Sequence, residues 1–260
     1  MRLFDSHCHL QSKRFGSNVP VIIEEAVKAG VCRYLCCATC EKDWDRVLTL
    51  SERYDSIVPA LGIHPWYMEG ISNNWEERLL ENLRSVPSVV GECGLDFAVP
   101  GAYVELQEDV FRRQLIIAQE LHRPVSIHCR KAWGRLVTIV KETGRLRGGG
   151  VIHSYSGSHE LVPVLEKLGF YLSFSGSVTN PNSKKVHKAA KAVSDEYLLI
   201  ETDSPDLIPY TIPNRYACAY NQPAFLPAVA ESIAGLRKRR VKEIADLTFE
   251  NASRLFGDIL

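Results

Sequence analysis

The chain has 260 residues, with 31 Lys plus Arg against 31 Asp plus Glu, 45% hydrophobic residues and 24% charged ones. That length and balance suit a globular protein with an ample core and exclude a disordered, fibrous or disulfide-stapled chain. A formal net charge of +0 gives no global attraction to nucleic acid or to an anionic membrane, so any polyanion site has to be local.

The chain opens on Met1-Arg2-Leu3-Phe4-Asp5-Ser6-His7, strand-like sequence without the apolar stretch and small-residue cleavage site of a secretory signal. No later run of about 18 apolar residues would span a membrane. The expectation is an intracellular protein, cytoplasmic or, in a eukaryote, nuclear, and not secreted. Short apolar or β-branched runs then alternate with longer amphipathic ones from end to end. Strands are expected at residues 2–6, 31–38, 57–62, 88–92, 124–128, 150–153, 170–174 and 197–202. Helices are expected near 19–29, 41–53, 74–84, 104–121, 131–144, 158–168, 182–193, 223–236 and 240–255. Gly30 and Gly169 close helices and Pro124 opens a strand, as their backbone preferences favour. Eight βα units in about 250 residues predict a (β/α)8 TIM barrel, a single domain over residues 1–260 with an extra C-terminal helix. The competing doubly wound sheet usually has fewer strands and a glycine-rich phosphate loop after the first, whereas histidines follow strand one here. The irregular stretch Ser204 to Gln222, carrying Pro205, Pro209 and Pro213, would lie at the active-site rim.

Eight cysteines are unevenly spaced and read as reduced core thiols rather than as a disulfide framework. Cys37 and Cys40 form a lone C-x-x-C beside an apolar run, where cysteine behaves as a small hydrophobe. Arg237-Lys238-Arg239-Arg240 reads as a solvated connector between helices. Gly148-Gly149-Gly150 and Ser175-Gly176-Ser177 lack the Lys-Ser/Thr ending of a phosphate loop and read as turns. His122, His159 and His187 fall in or beside helices and read as bystanders.

The chemistry gathers at strand ends. Asp5, His7 and His9 alternate at the end of strand one and are expected to point the same way. Strand four ends in Gly91-Glu92, strand five in Ile127-His128, strand six in Ile152-His153 and strand eight in Glu201-Thr202-Asp203. On a parallel barrel all such ends converge on one face. His7, His9, Glu92, His128, His153 and Asp203 are therefore expected in one cavity. Imidazole with carboxylate suits Zn, Mn, Fe, Co or Ni, and so rich a cluster could hold two ions bridged by a carboxylate. The implied chemistry is hydrolysis, of phosphoesters or of amides, with Asp203 as ligand and proton acceptor.

Phe4-Asp5-Ser6-His7-Cys8-His9-Leu10, Gly62-Ile63-His64-Pro65, Gly91-Glu92-Cys93-Gly94-Leu95-Asp96-Phe97, His128-Cys129-Arg130, His153-Ser154-Tyr155-Ser156-Gly157 and Glu201-Thr202-Asp203-Ser204-Pro205 follow one another in the chain. In this order they resemble the TatD-type metal-dependent deoxyribonucleases, a branch of the amidohydrolase-like barrel hydrolases, over essentially the whole length. The resemblance implies two divalent cations (Mg, Mn or Zn). His7, His9, Glu92 and Asp203 would surround one, Glu92, His128 and His153 would hold the second, and Asp203 and Glu92 would be the catalytic carboxylates. Cys93 and Phe97 stand where the family usually has Ile and Tyr. Lys131 replaces an acidic or amide residue, and Gln222 replaces the Glu of an Asn-Glu-Pro element, which would alter charge at the rim.

The expected activity is exonucleolytic cleavage of DNA without sequence specificity, with no membrane and no obligate protein partner. His64 and Arg130 are the candidates for substrate phosphate, and Trp66 with Tyr67 for stacking a base. The same ligands would also suit hydrolysis of an amide, a lactone or an aminoacyl-tRNA ester. A binding module that has lost turnover is the reading from another class, and retention of Asp203 counts against it.

Overall fold

A computed structural model describes residues 1–99, 101 and 103–259. The strands are β1 (Leu3–Cys8), β2 (Val31–Cys37), β3 (Ile57–Leu61), β4 (Val89–Asp96), β5 (Val125–Arg130), β6 (Gly150–Ile152), β7 (Phe170–Phe174) and β8 (Leu198–Ile200). The helices are α1 (Val19–Lys28), α2 (Glu41–Arg53), α3 (Trp75–Ser85), α4 (Val104–Glu120), α5 (Trp133–Thr143), α6 (Val162–Lys167), α7 (Lys184–Ala192), α8 (Leu226–Arg237) and α9 (Val241–Phe256). All strand pairs are parallel and run in chain order from β1 to β8. Just past the strand ends the sheet returns on itself: Asp203 N–H donates to the His7 carbonyl at 3.0 Å and His9 N–H to that of Ser204 at 2.8 Å. The result is the expected TIM barrel. No helix among the described residues is long and apolar enough to cross a membrane.

Two apolar layers hold it. Strand residues such as Leu3, Tyr34, Cys36 and Leu61 pack outward on helix residues such as Trp44, Leu79, Phe111 and Ile233. Phe4, Leu35, Val58, Ala60, Val89, Val151, Tyr171 and Leu199 meet one another inside the barrel. Alternating faces of the same strands supply both layers, because the side-chain period of a strand is two. The extra helix α9 closes the N-terminal end: Ala252, Leu255 and Phe256 join the interior group, and Phe256 lies 5.6 Å from Phe4 between ring centroids. Above that plug the interior becomes polar, with Ser6 Oγ 2.7 Å from Ser173 Oγ. Catalytic groups of this fold gather at the opposite end.

The alternation breaks in β4, between Val90 and Cys93, and in β1. Phe4 belongs to the interior group, and so does Cys37, whose Sγ lies 3.3 Å from His7 Nδ1. Residues three apart share a face only across an irregularity, and the β1–β2 pairing does shift between Asp5 and Cys8. Asp5 therefore does not point with His7 and His9, as strict alternation predicts. It bonds Thr202 on the β8 side, accepting from its N–H at 2.9 Å and its hydroxyl at 2.5 Å. Burial lifts its pKa to about 8 despite those bonds.

Candidate metal centre

Glu92 stands at the centre of the C-terminal face, 2% exposed. Its Oε1 lies 2.8 Å from His153 Nε2, 3.2 Å from His64 Nε2 and 3.3 Å from His128 Nδ1. Its Oε2 lies 3.3 Å from His7 Nε2 and 3.6 Å from His9 Nε2. Asp203 Oδ1 comes within 3.4 Å of His9 Nε2 and 3.8 Å of His7 Nε2. Asp203 has φ of +56°, a left-handed conformation that aspartate tolerates better than most residues. The sequence brings β4 close enough for this through glycine. Gly91 has φ of +149°, and a Cβ there would lie 2.6 Å from the Ser126 carbonyl oxygen; at Gly94, φ of +138°, it would collide with the His128 carbonyl.

The tautomers are set from behind. His9 Nδ1–H donates to the Cys37 carbonyl at 2.7 Å, and His128 Nε2–H to Asp96 Oδ2 at 3.2 Å. In the neutral rings, His9 Nε2 and His128 Nδ1 then face the cluster with lone pairs. His7 Nδ1 lies 3.1 Å from Ser126 Oγ. The inward nitrogens of His7 and His9 are 3.3 Å apart, and those of His128 and His153 are 3.1 Å apart. His153 Nδ1 is buried without a hydrogen-bond partner, 3.5 Å from Glu201. A divalent cation shared among these nitrogens and the carboxylate oxygens of Glu92 and Asp203 would satisfy their lone pairs together, so the donor set fits divalent metal. His7, His9 and Glu92 form one compact group, His64, Glu92 and His128 a second, and His7, His153 and Asp203 a third.

Electrostatics follows from the crowding. Burial alone would push Glu92 up, but His64, His153 and His7 hold it well below the usual carboxylate range. Burial pulls His64 down to about 4. It works against charge on His9 too, yet Asp203 and Glu92 overcome it and lift that ring to about 9. A bound cation would take over the role of such protons.

His64 differs from its neighbours. Its Nδ1 accepts the Trp66 backbone N–H at 3.1 Å, which leaves the neutral ring an Nε2–H aimed at the cluster. The oxygen it faces is Glu92 Oε1, at 3.2 Å. Trp66 and Tyr67 are 57% and 45% exposed and line the same cavity of about 620 Å³ as His9, Glu92, His128, His153 and Asp203. Arg130 is exposed and is not among the residues lining it. Lys13, Arg14, Lys42 and Arg46 are, together with Pro205, Asp206 and Leu207 of the long loop after β8. Arg14 is paired with Asp206 at 2.7 Å. Nothing marked the β1–α1 and α2 cations in the sequence, because they converge only when β1 and β2 lie side by side. Asp96, Ser126 and Cys37 were equally silent as supports for His128, His7 and His9. Lys131, Gln222, His122, His159 and His187 stand outside the cavity.

A barrel that gathers imidazoles and carboxylates in this way defines a metal-dependent hydrolase. The chain belongs to the TatD related DNase family, whose model matches residues 4–257. It is 37% identical over 257 residues to an uncharacterized metal-dependent hydrolase, YabD, of Bacillus subtilis, covering 98% of each chain. It is 32% identical over 258 residues to a protein of Escherichia fergusonii named 3'-5' ssDNA/RNA exonuclease TatD, covering 98% of this chain and 99% of that one. The crystal structure of YJJV, a TatD homologue from Escherichia coli K12, matches 98% of both chains with a TM-score of 0.92 at 30% identity.

Proposed function

We propose that this protein is a two-cation exonuclease that cleaves phosphodiester bonds of DNA, acting on single strands from the 3' end. The observation that carries the reading is Glu92, whose two carboxylate oxygens face two different sets of ring nitrogens, as a bridging ligand must. His7, His9, Glu92 and Asp203 would hold one cation, and Glu92, His128 and His153 the other. Divalent cations there supply Lewis acidity and lower the pKa of water.

The chain's own groups do the rest. Asp203, held ionised by His9, His153 and His7 against the effect of its burial, takes the proton from the attacking water. His64 Nε2–H donates to a non-bridging phosphoryl oxygen, an interaction that strengthens as charge develops. Trp66 and Tyr67 offer faces on which any base can stack, which fits cleavage without sequence specificity. Lys13, Lys42 and Arg46 supply the local positive wall that a net-neutral chain needs to hold a polyanion. The choice of single strands and of the 3' end is supported by the name of the Escherichia fergusonii relative, a 3'-5' ssDNA/RNA exonuclease.

End-labelled single- and double-stranded DNA, incubated with metal-stripped protein and then with Mg, Mn or Zn separately, tests this, with Asp203→Asn as control. Metal-dependent shortening from the 3' end, absent in the variant, is the expected result. DNA left intact under every metal would overturn the nuclease reading in favour of an amide, lactone or aminoacyl-tRNA ester.

A further inference from the structure

Asp96 ends β4 fully buried, and one of its oxygens holds two groups with different tasks. Oδ2 accepts the indole Nε1–H of Trp66 at 2.7 Å and the Nε2–H of His128 at 3.2 Å. The residue is fixed from behind. Oδ1 accepts the Ala98 backbone N–H at 2.9 Å, while Gln107 accepts the Asp96 N–H at 2.9 Å and donates to its carbonyl at 3.2 Å. A buried carboxylate is costly unless its oxygens are bonded. Here those bonds run to an indole that keeps 57% of its surface exposed and to a ring that faces Glu92.

We propose that Asp96 is a positioning residue that ties the Trp66 platform to the His128 ring, so that filling the second cation position and seating a base are coupled through one carboxylate. The proposal rests on the roles given above to His128 and Trp66. An imidazole that gives its Nδ1 lone pair to a cation becomes a stronger donor at Nε2, as ligand histidines with carboxylate partners do. The indole shares that acceptor, so its hold changes when the ring's does.

Two readouts other than turnover test this. Calorimetric titration of metal-stripped protein with Zn²⁺ counts ions and gives their affinities, and acrylamide quenching of tryptophan emission, taken as the difference from Trp66→Phe, reports the indole. In the wild type, Zn²⁺ is expected to change the quenching of Trp66 as the second ion binds. In Asp96→Asn one of the two ions should bind about 10- to 100-fold more weakly, the other should be unchanged, and the Trp66 response to Zn²⁺ should vanish. Trp66→Phe should keep both ions and raise KM for a single-stranded oligonucleotide more than it lowers kcat. A purely structural role would instead lower the melting temperature and weaken both ions together. Asp96→Asn protein with both ions at wild-type affinity overturns the proposal. So does wild-type protein that binds two ions while Trp66 stays indifferent, a measurement that needs no Asp96 variant. Wild-type protein that binds a single ion refutes the two-cation reading and the coupling with it.

Discussion

Glu92→Gln is the sharpest perturbation of the proposed centre, because it keeps the shape of the side chain and removes only its charge. In the wild type each carboxylate oxygen lies between 2.8 and 3.6 Å from the ring nitrogens it faces, so a cation held among them is closer than 4 Å. Two unit charges 4 Å apart at an effective dielectric of 20 interact by about 4 kcal/mol, taken as the lower figure for a divalent ion, whose charge is shared with its other ligands. At about 1.4 kcal/mol per factor of ten, losing one such interaction costs about a thousandfold in occupancy or turnover. The amide also turns an N–H₂ donor toward nitrogens that should carry lone pairs. Both ions should be weakened together, whereas Asp203→Asn touches the first position only and should keep one ion. Elemental analysis of desalted protein counts the ions, and an end-labelled oligonucleotide gives the rate. Glu92→Gln protein with two ions and turnover within tenfold of wild type would refute the bridging argument.

Gly94→Ala should destabilise the protein by about 2–4 kcal/mol through overpacking and a strained backbone, since its Cβ would strike the His128 carbonyl; Gly235→Ala on α8, with open space around it, should stabilise by about 0.5–1 kcal/mol. Urea melts decide between them, and equal effects would contradict the packing of β4 on β5. Phe256→Ala, fully buried against Phe4, should cost about 3–5 kcal/mol while kcat of the folded protein is unchanged, because α9 plugs the end of the barrel away from the site. Lys42→Glu with Arg46→Glu should raise KM and flatten the salt dependence of binding, by about 0.7 in the log–log slope for each single-strand phosphate no longer neutralised; a salt slope identical to wild type would remove these residues from the substrate path.

Much of the molecule is written locally. The helix over residues 41–53 is read from its own pattern, as Trp44 and Val47 on one buried face of α2 illustrate. The eight strand runs give the barrel because each is followed by a helix and parallel pairing needs such crossovers. Strand length was less legible: β4 runs on to Asp96 rather than stopping at Glu92, since Gly91 and Gly94 interrupt the apolar signal while the close approach to β5 keeps the pairing.

His7, His9, Glu92, His128, His153 and Asp203 could be named from the linear chain because a parallel barrel sends every strand end to one face, so topology alone brings them together. The facing of Asp5 could not be read, because the shift in β1 is set by its pairing with β2 and not by its own alternation. Nor could the partners that orient the rings: Cys37, Asp96 and Ser126 lie on β2, β4 and β5, each on a different strand from the ring it holds, and each becomes a hydrogen-bond partner only through long-range packing. The cation wall from Lys13, Lys42 and Arg46 arises the same way. Residue type and spacing thus decided which chemistry the strand ends carry. Barrel closure decided which atom of each side chain faces that chemistry, because hydrogen bonds and charge act over a few ångströms of space regardless of separation along the chain.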